Sequence, residues 1–296
     1  MLRPTCRFVK ITPVMAQEWL EKAAKGRKVK ESRVTLYSKM MKRGDWMVTH
    51  QGIAFDDRGH LLDGQHRLRS IVESGTTCEV LVVENLKAAT VVVMDQGAFR
   101  QMHDQMSINQ GSVITPRYVA TAKQMMTSVH LPTKDDRVAL RDVMLVERFL
   151  VKHSEAIRFA DALFNKTVPR VSVAAVIAPI ARAWYSQNRK KLTEFAAIVS
   201  SGMSTNVDAS PVIVLRNYLI TSGDMMRELH TRVKVYRKTE QALRAFLDRE
   251  QWTKFPRREA EFELFLIPGE QAHPTTEQVK PRLRKSSDEQ AKAAPE

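Results

Sequence analysis

The sequence predicts an α+β fold: a small mixed sheet with helices over residues 1–111, an all-helical domain over 112–267, and a disordered tail over 268–296. Three observations carry it. Short apolar runs separated by Asp/Gly turns fill the stretch before Gly111. Apolar residues at 3.6-residue spacing dominate from Pro116 onward. From Pro268 large apolar residues nearly vanish, so that segment cannot bury a core.

The elements follow in order. Phe8 to Ile11 reads as a short strand. Thr12-Pro13 reads as an N-cap followed by proline at the first helical position, opening a helix that runs to about Ala24. Val34, Leu36, Tyr37, Met40 and Met41 mark a second helix closed by Gly44. Spacing turns strand-like from Met47 to Leu62, with Asp56-Asp57-Arg58-Gly59 as a hairpin turn. Gln65 to Glu73 is a helix ended by Gly75, and Cys78 to Val83 a buried strand. Leu86 to Met94 is a helix or an apolar return, and Arg100 to Ile108 a short helix. Helical spacing then covers Pro116–Val129, Arg137–Phe164, Val171–Ser186, Lys190–Val199, Val212–Thr221 and Met225–Arg249. Their polar faces are expected to show Arg182, Arg189, Lys190, Arg237 and Lys238.

The chain of 296 residues carries a net charge of +14, which points to polyanionic partners (DNA, RNA, nucleotides or acidic membrane surfaces) or simply to a well-solvated basic surface. Its two cysteines, Cys6 and Cys78, form no Cys-x-x-Cys pair, so zinc-ribbon and thioredoxin chemistry lack a basis. Lone thiols fit a cytoplasmic setting. No apolar stretch follows Arg3, Arg7 and Lys10, so no signal peptide is expected, and no apolar run is long enough for a membrane helix. Walker loops and Ser or Cys nucleophile arrangements are absent.

Chemistry concentrates in Asp63-Gly64-Gln65-His66-Arg67-Leu68-Arg69. A strand ends, glycine permits a tight turn, and a helix begins. A helix start presents unpaired N–H groups and the positive end of the dipole, which suits phosphate. Gly64 lets an anion approach the backbone. Arg67 and Arg69 neutralise it, with Arg67 able to fork onto its oxygens. His66 orients or protonates it. Asp63 fixes the turn, and with His66 is the candidate catalytic pair. The plainer reading is a capped turn with solvated side chains. Asp95 and Arg100, with Asp104, form a second polar cluster that holds either phosphate or a helix start. His50, His60, His66 and His103 with Asp56, Asp57 and Asp63 lack the spacing of a metal site, and no metal ligand is assigned. Lys22, Lys25, Arg27, Lys28, Lys30 and Arg33 form a basic run, extended by Lys39, Lys42 and Arg43, that suits phosphate backbone or a solvated linker. Trp46, Trp184 and Trp252 serve either packing or base stacking.

The Asp-Gly-Gln-His-Arg run resembles the ParB/sulfiredoxin fold superfamily, especially its phage- and plasmid-borne members. The flanking text is similar as well. Gly44-Asp45-Trp46 precedes Phe55-Asp56-x-x-Gly59-x-Leu61-Leu62-Asp63, and Asp95-x-Gly97-x-x-Arg100 follows. The resemblance spans roughly residues 8–111. It implies phosphate binding at the strand-to-helix turn through Gly64, Gln65, His66, Arg67 and Arg69, a nucleoside triphosphate (ATP or CTP) with Mg as candidate cofactors, and DNA as partner. It also implies a phage, plasmid or bacterial origin, with a dimer among the oligomeric states left open. Gln65 stands where the chromosome-partitioning branch carries an acid and where sulfiredoxin carries its reactive cysteine, which argues against both of those chemistries. The function expected is therefore nucleotide or nucleic-acid-phosphate binding. A non-enzymatic DNA-binding regulator and a nuclease or phosphotransferase are the alternatives.

Overall fold

The computed structural model describes residues 3–23, 29–92, 94, 100–127, 131–221, 228–256 and 263–270. The chain is α+β, as its patterning predicts. It divides into two compact units, residues 1–119 with 132–152 and residues 120–131 with 153–296. No described helix is long and apolar enough to cross a membrane.

The first unit is built on four strands: β1 (Thr5–Ile11), β2 (Ile53–Asp56), β3 (Leu61–Asp63) and β4 (Cys78–Leu86). Their order is β1-β4-β2-β3. β4 runs antiparallel to β1 and parallel to β2, and β2 pairs antiparallel with β3. The parallel pairing needs a crossover, and α3 (Gln65–Ser74) supplies it. Ahead of the hairpin lie α1 (Pro13–Glu21) and α2 (Glu31–Lys42). Thr12 caps α1, its hydroxyl accepting from the Met15 N–H at 3.2 Å. One face of the sheet closes with these helices over Ile11, Ala16, Met41, Ile53, Phe55, Leu61, Leu68, Ile71, Val80 and Val82. Burying each of these side chains larger than alanine contributes about 1.5–3 kcal/mol.

Strand pairing starts at Ile53, later than the spacing from Met47 predicts. Gly52 explains the tight entry: a Cβ there would sit 1.9 Å from the Leu81 carbonyl oxygen. The hairpin turn is as expected, and its key is Asp56. Its carboxylate accepts from the backbone N–H of Arg58 at 2.9 Å and of His60 at 2.7 Å, and contacts His60 Nδ1 at 3.1 Å. Burial alone would raise this carboxyl, but the bonds from His60 and Arg58 outweigh it and hold it below the ordinary aspartate value.

After β4, residues Ala88–Val92 form a 3₁₀ turn, and α4 (Met102–Gln110) and α5 (Pro116–Thr127) follow. The helical pattern from Arg137 to Phe164 resolves into α6 (Lys134–Ala139), α7 (Val143–Lys152) and α8 (Ser154–Ala162). Asp142 makes the first break, accepting from the N–H groups of Met144 and Leu145 at 3.1 and 3.2 Å. α6 and α7 belong to the first unit, so packing carries that unit past the sequence boundary at 111.

The second unit comprises α8, α9 (Ala174–Ala183), α10 (Arg189–Ser201), α11 (Ser210–Thr221) and α12 (Leu229–Leu247). α9 is buried from Ala175 through Ala183. Arg182 therefore corrects the expectation of a solvated polar face, being 0 % exposed. Its guanidinium donates to the carbonyls of Phe265 (2.9 Å) and Met125 (2.8 Å) and to the carboxylates of Glu263 and Glu270. Those bonds strap residues 263–270 onto the unit. Pro268, Gly269 and Glu270 are thus placed, while the tail expected to be disordered lies otherwise outside the described residues, as do Lys25, Arg27, Lys28 and Asp95.

Candidate phosphate-binding cleft

The strand-to-helix turn forms as the motif predicts, with β3 ending at Asp63 and α3 beginning at Gln65. Gly64 has φ +108°, a conformation that L side chains rarely adopt. A Cβ there would also lie 2.8 Å from Ile53 Cγ1. Glycine here thus serves the turn and the packing on β2. The first helical bond runs from the Leu68 N–H to the Gly64 carbonyl at 2.9 Å, and no side chain caps this end of α3.

The motif side chains diverge from there. His66 Nε2 accepts from the Lys30 backbone N–H at 3.0 Å. That bond needs an unprotonated Nε2, so the neutral ring carries its proton on Nδ1, and the ring pins the start of α2 to α3. Arg67 is largely buried. It donates to the Gly52 carbonyl and to Gln51 Oε1, both at 3.2 Å, and lies 3.7 Å from Asp63. Arg69 is exposed, 3.8 Å from Glu31. Residues two apart on a helix face opposite ways, so Arg67 and Arg69 do not converge on one anion. Gln65 and Arg69 line a hollow beside α1 and α2. Arg67 lines a different cleft.

That cleft measures about 770 Å³, within the range of ligand pockets. One wall is apolar and aromatic, where Tyr37 and Trp46 meet edge-on at 5.4 Å between ring centres. Lys30, Arg33, Arg67 and Arg141 bring positive charge; Asp45, Asp142 and Glu147 bring negative charge. Asp45 and Asp142 are paired with arginines, and Glu147 with neutral amides. Asp45 accepts from Arg43 at 3.0 Å and from Arg148 at 2.6 Å. Asp142 pairs with Arg43. Glu147 accepts from the side-chain amides of Asn109 and Gln110 at 2.8 and 2.7 Å. The bonds from Arg148 and Arg43 hold the Asp45 carboxyl below its ordinary range. In contrast, the side chains of Lys30, Arg33 and Arg141 bond no acid among the described residues. The cleft therefore carries uncompensated positive charge beside an aromatic wall. That combination attracts an anion with a flat apolar part.

Of the acids of this cleft Asp45 and Asp142 are taken by arginines, whereas Glu147 accepts from neutral amides, both at Oε1. Among the described residues no three His, Cys, Asp or Glu side chains stand together as a metal group. Arg100 is exposed and does not line the cleft. Asp104 bonds the Gln101 N–H at 3.1 Å and so caps α4. Trp184 stacks beneath the Arg189 guanidinium at 4.5 Å, and Trp252 packs on Phe255.

Sequence reasoning missed the Arg43–Asp142 and Asp45–Arg148 pairs, which join partners about a hundred positions apart. No local signal names those partners, because the burial that makes Asp45 need a cation is set by tertiary packing. Sequence reasoning also missed Tyr37 and Arg141 as cleft residues. Compared with protein families, curated proteins and solved structures, the chain finds no match in any of the three.

Proposed function

We propose that this is a ParB-like, DNA-associated protein that binds the phosphate of a nucleotide or nucleic acid in the cleft beside α3. The observation that carries the reading is the charge imbalance in the cleft. Asp45 and Asp142 are neutralised by arginines and Glu147 is held by neutral amides, while Lys30, Arg33 and Arg141 bond no acid among the described residues, so cations outnumber the acids left to balance them. The resemblance at Asp63 to Arg67 and the net charge of +14 support the same ligand class. His66 braces the start of α2 and Asp63 lies beside Arg67, which favours binding without turnover, as in a DNA-binding regulator, over a nuclease or phosphotransferase.

The test is calorimetric titration of ATP, CTP and GTP, each with and without duplex DNA, into the wild type and an Arg33→Glu/Arg141→Glu variant. Both positions are exposed, so the variant is expected to fold. Saturable binding that weakens at least tenfold in the variant is the expected result. Absence of binding by folded wild type under all these conditions overturns the proposal.

A further inference from the structure

We infer that the cleft accepts an unpaired nucleotide of a single polynucleotide strand, its base laid against the Tyr37–Trp46 wall. The inference rests on the phosphate-binding reading and chooses among its ligands.

Two features separate a strand from a free triphosphate. The first is where the cations come from. Lys30 and Arg33 stand one helical turn apart at the start of α2, Arg67 is on α3, and Arg141 is in the turn between α6 and α7. A triphosphate is gripped by amides and cations converging on one point, usually with magnesium. Here the cations come from three separate parts of the unit, and Asp45 and Asp142 are already taken by arginines. Spread cations suit phosphates spaced along a chain. The second is the wall itself. Tyr37 and Trp46 are both only partly buried, and both face the cleft. Aromatic side chains beside a basic groove form the stacking platform that binds single strands without sequence preference. A duplex keeps its bases stacked inside, so it reaches that wall only by unpairing one.

The experiment measures fluorescence anisotropy of a labelled oligothymidylate of about 20 nucleotides with the full chain, against its duplex with oligoadenylate and against free dTTP as competitor. The expected order is strand at least tenfold tighter than duplex, with dTTP a poor competitor. Trp46→Phe keeps a ring and retains most of the affinity. Trp46→Leu keeps apolar packing without the ring and weakens strand binding about tenfold or more. Circular dichroism checks that variant's fold, and Tyr37→Leu gives the same readout if Trp46→Leu is unfolded. Arg33→Glu/Arg141→Glu weakens binding and flattens its salt dependence. Equal or tighter duplex binding overturns the inference, as does unchanged strand binding in the folded leucine variants. Binding of free dTTP alone also overturns it, yet leaves the phosphate-binding proposal standing. Binding of no phosphate ligand removes both.

Discussion

Gly64 carries two constraints at once, a left-handed backbone at φ +108° and an Ile53 side chain 2.8 Å from where a Cβ would go. Gly64→Ala adds backbone strain and overpacking together, at about 2–4 kcal/mol. Urea denaturation measures it, and a loss under 1 kcal/mol would contradict the double role. At Arg67 the motif residue lines the cleft and is a brace as well. Its bonds to Gly52 and Gln51 use the fork geometry that lysine lacks, so Arg67→Lys is expected to cost about 1–2 kcal/mol. The same denaturation series reads it, and a neutral result would return Arg67 to a purely ligand-facing role. Sequence spacing showed that these residues lie at a helix start. It did not show what they face, because that depends on Gln51, Gly52 and Lys30, which arrive from other elements.

Elements were most legible where a local device defines them. Thr12-Pro13 opens α1, Gly75 closes α3, and Asp56 shapes the hairpin, each through neighbours within four residues. The break between α6 and α7 was not legible, because Asp142 breaks the helix while also pairing with distant Arg43. Asp142→Ala removes the cap of α7 and the partner of Arg43. With Arg43 about a third exposed, the pair is partly screened, and the expected loss is about 2–3 kcal/mol. Hydrogen exchange should show the amides of Met144 and Leu145 losing protection before those of β4. Uniform loss across the unit would mean that α6 and α7 are not a separately held element.

At the scale of the whole molecule, the second unit contains a titrating group that no local pattern announces. Glu240 is buried, accepts from the N–H groups of Leu264 and Phe265 at 3.1 and 3.2 Å, and is pushed up to about 7. Burial is the main cause, and Glu263 adds to it. Arg182 and the two N–H bonds oppose the shift without cancelling it. The folded state thus keeps a proton that the unfolded chain releases near pH 4.5. Its stabilising effect is complete below that pH and is lost as pH rises to about 7, at a cost of about 3 kcal/mol. Denaturation at pH 5 and pH 8 should show the decrease, and Glu240→Gln should remove most of it. A pH-independent wild type would mean that Glu240 is ionised throughout.

The sequence by itself determined the α+β class, the strand-to-helix turn at Gly64, most helix ends and the basic character of the chain. All of these follow from spacing, caps and charge that act within a few residues. Only the tertiary structure decided that Arg67 braces Gly52 and Gln51, that Arg182 is buried, and that Tyr37, Trp46 and Arg141 line one cleft. Those outcomes depend on which groups far apart in the chain are brought into contact, and on desolvation, which makes a buried charge find its partner whatever the distance in sequence.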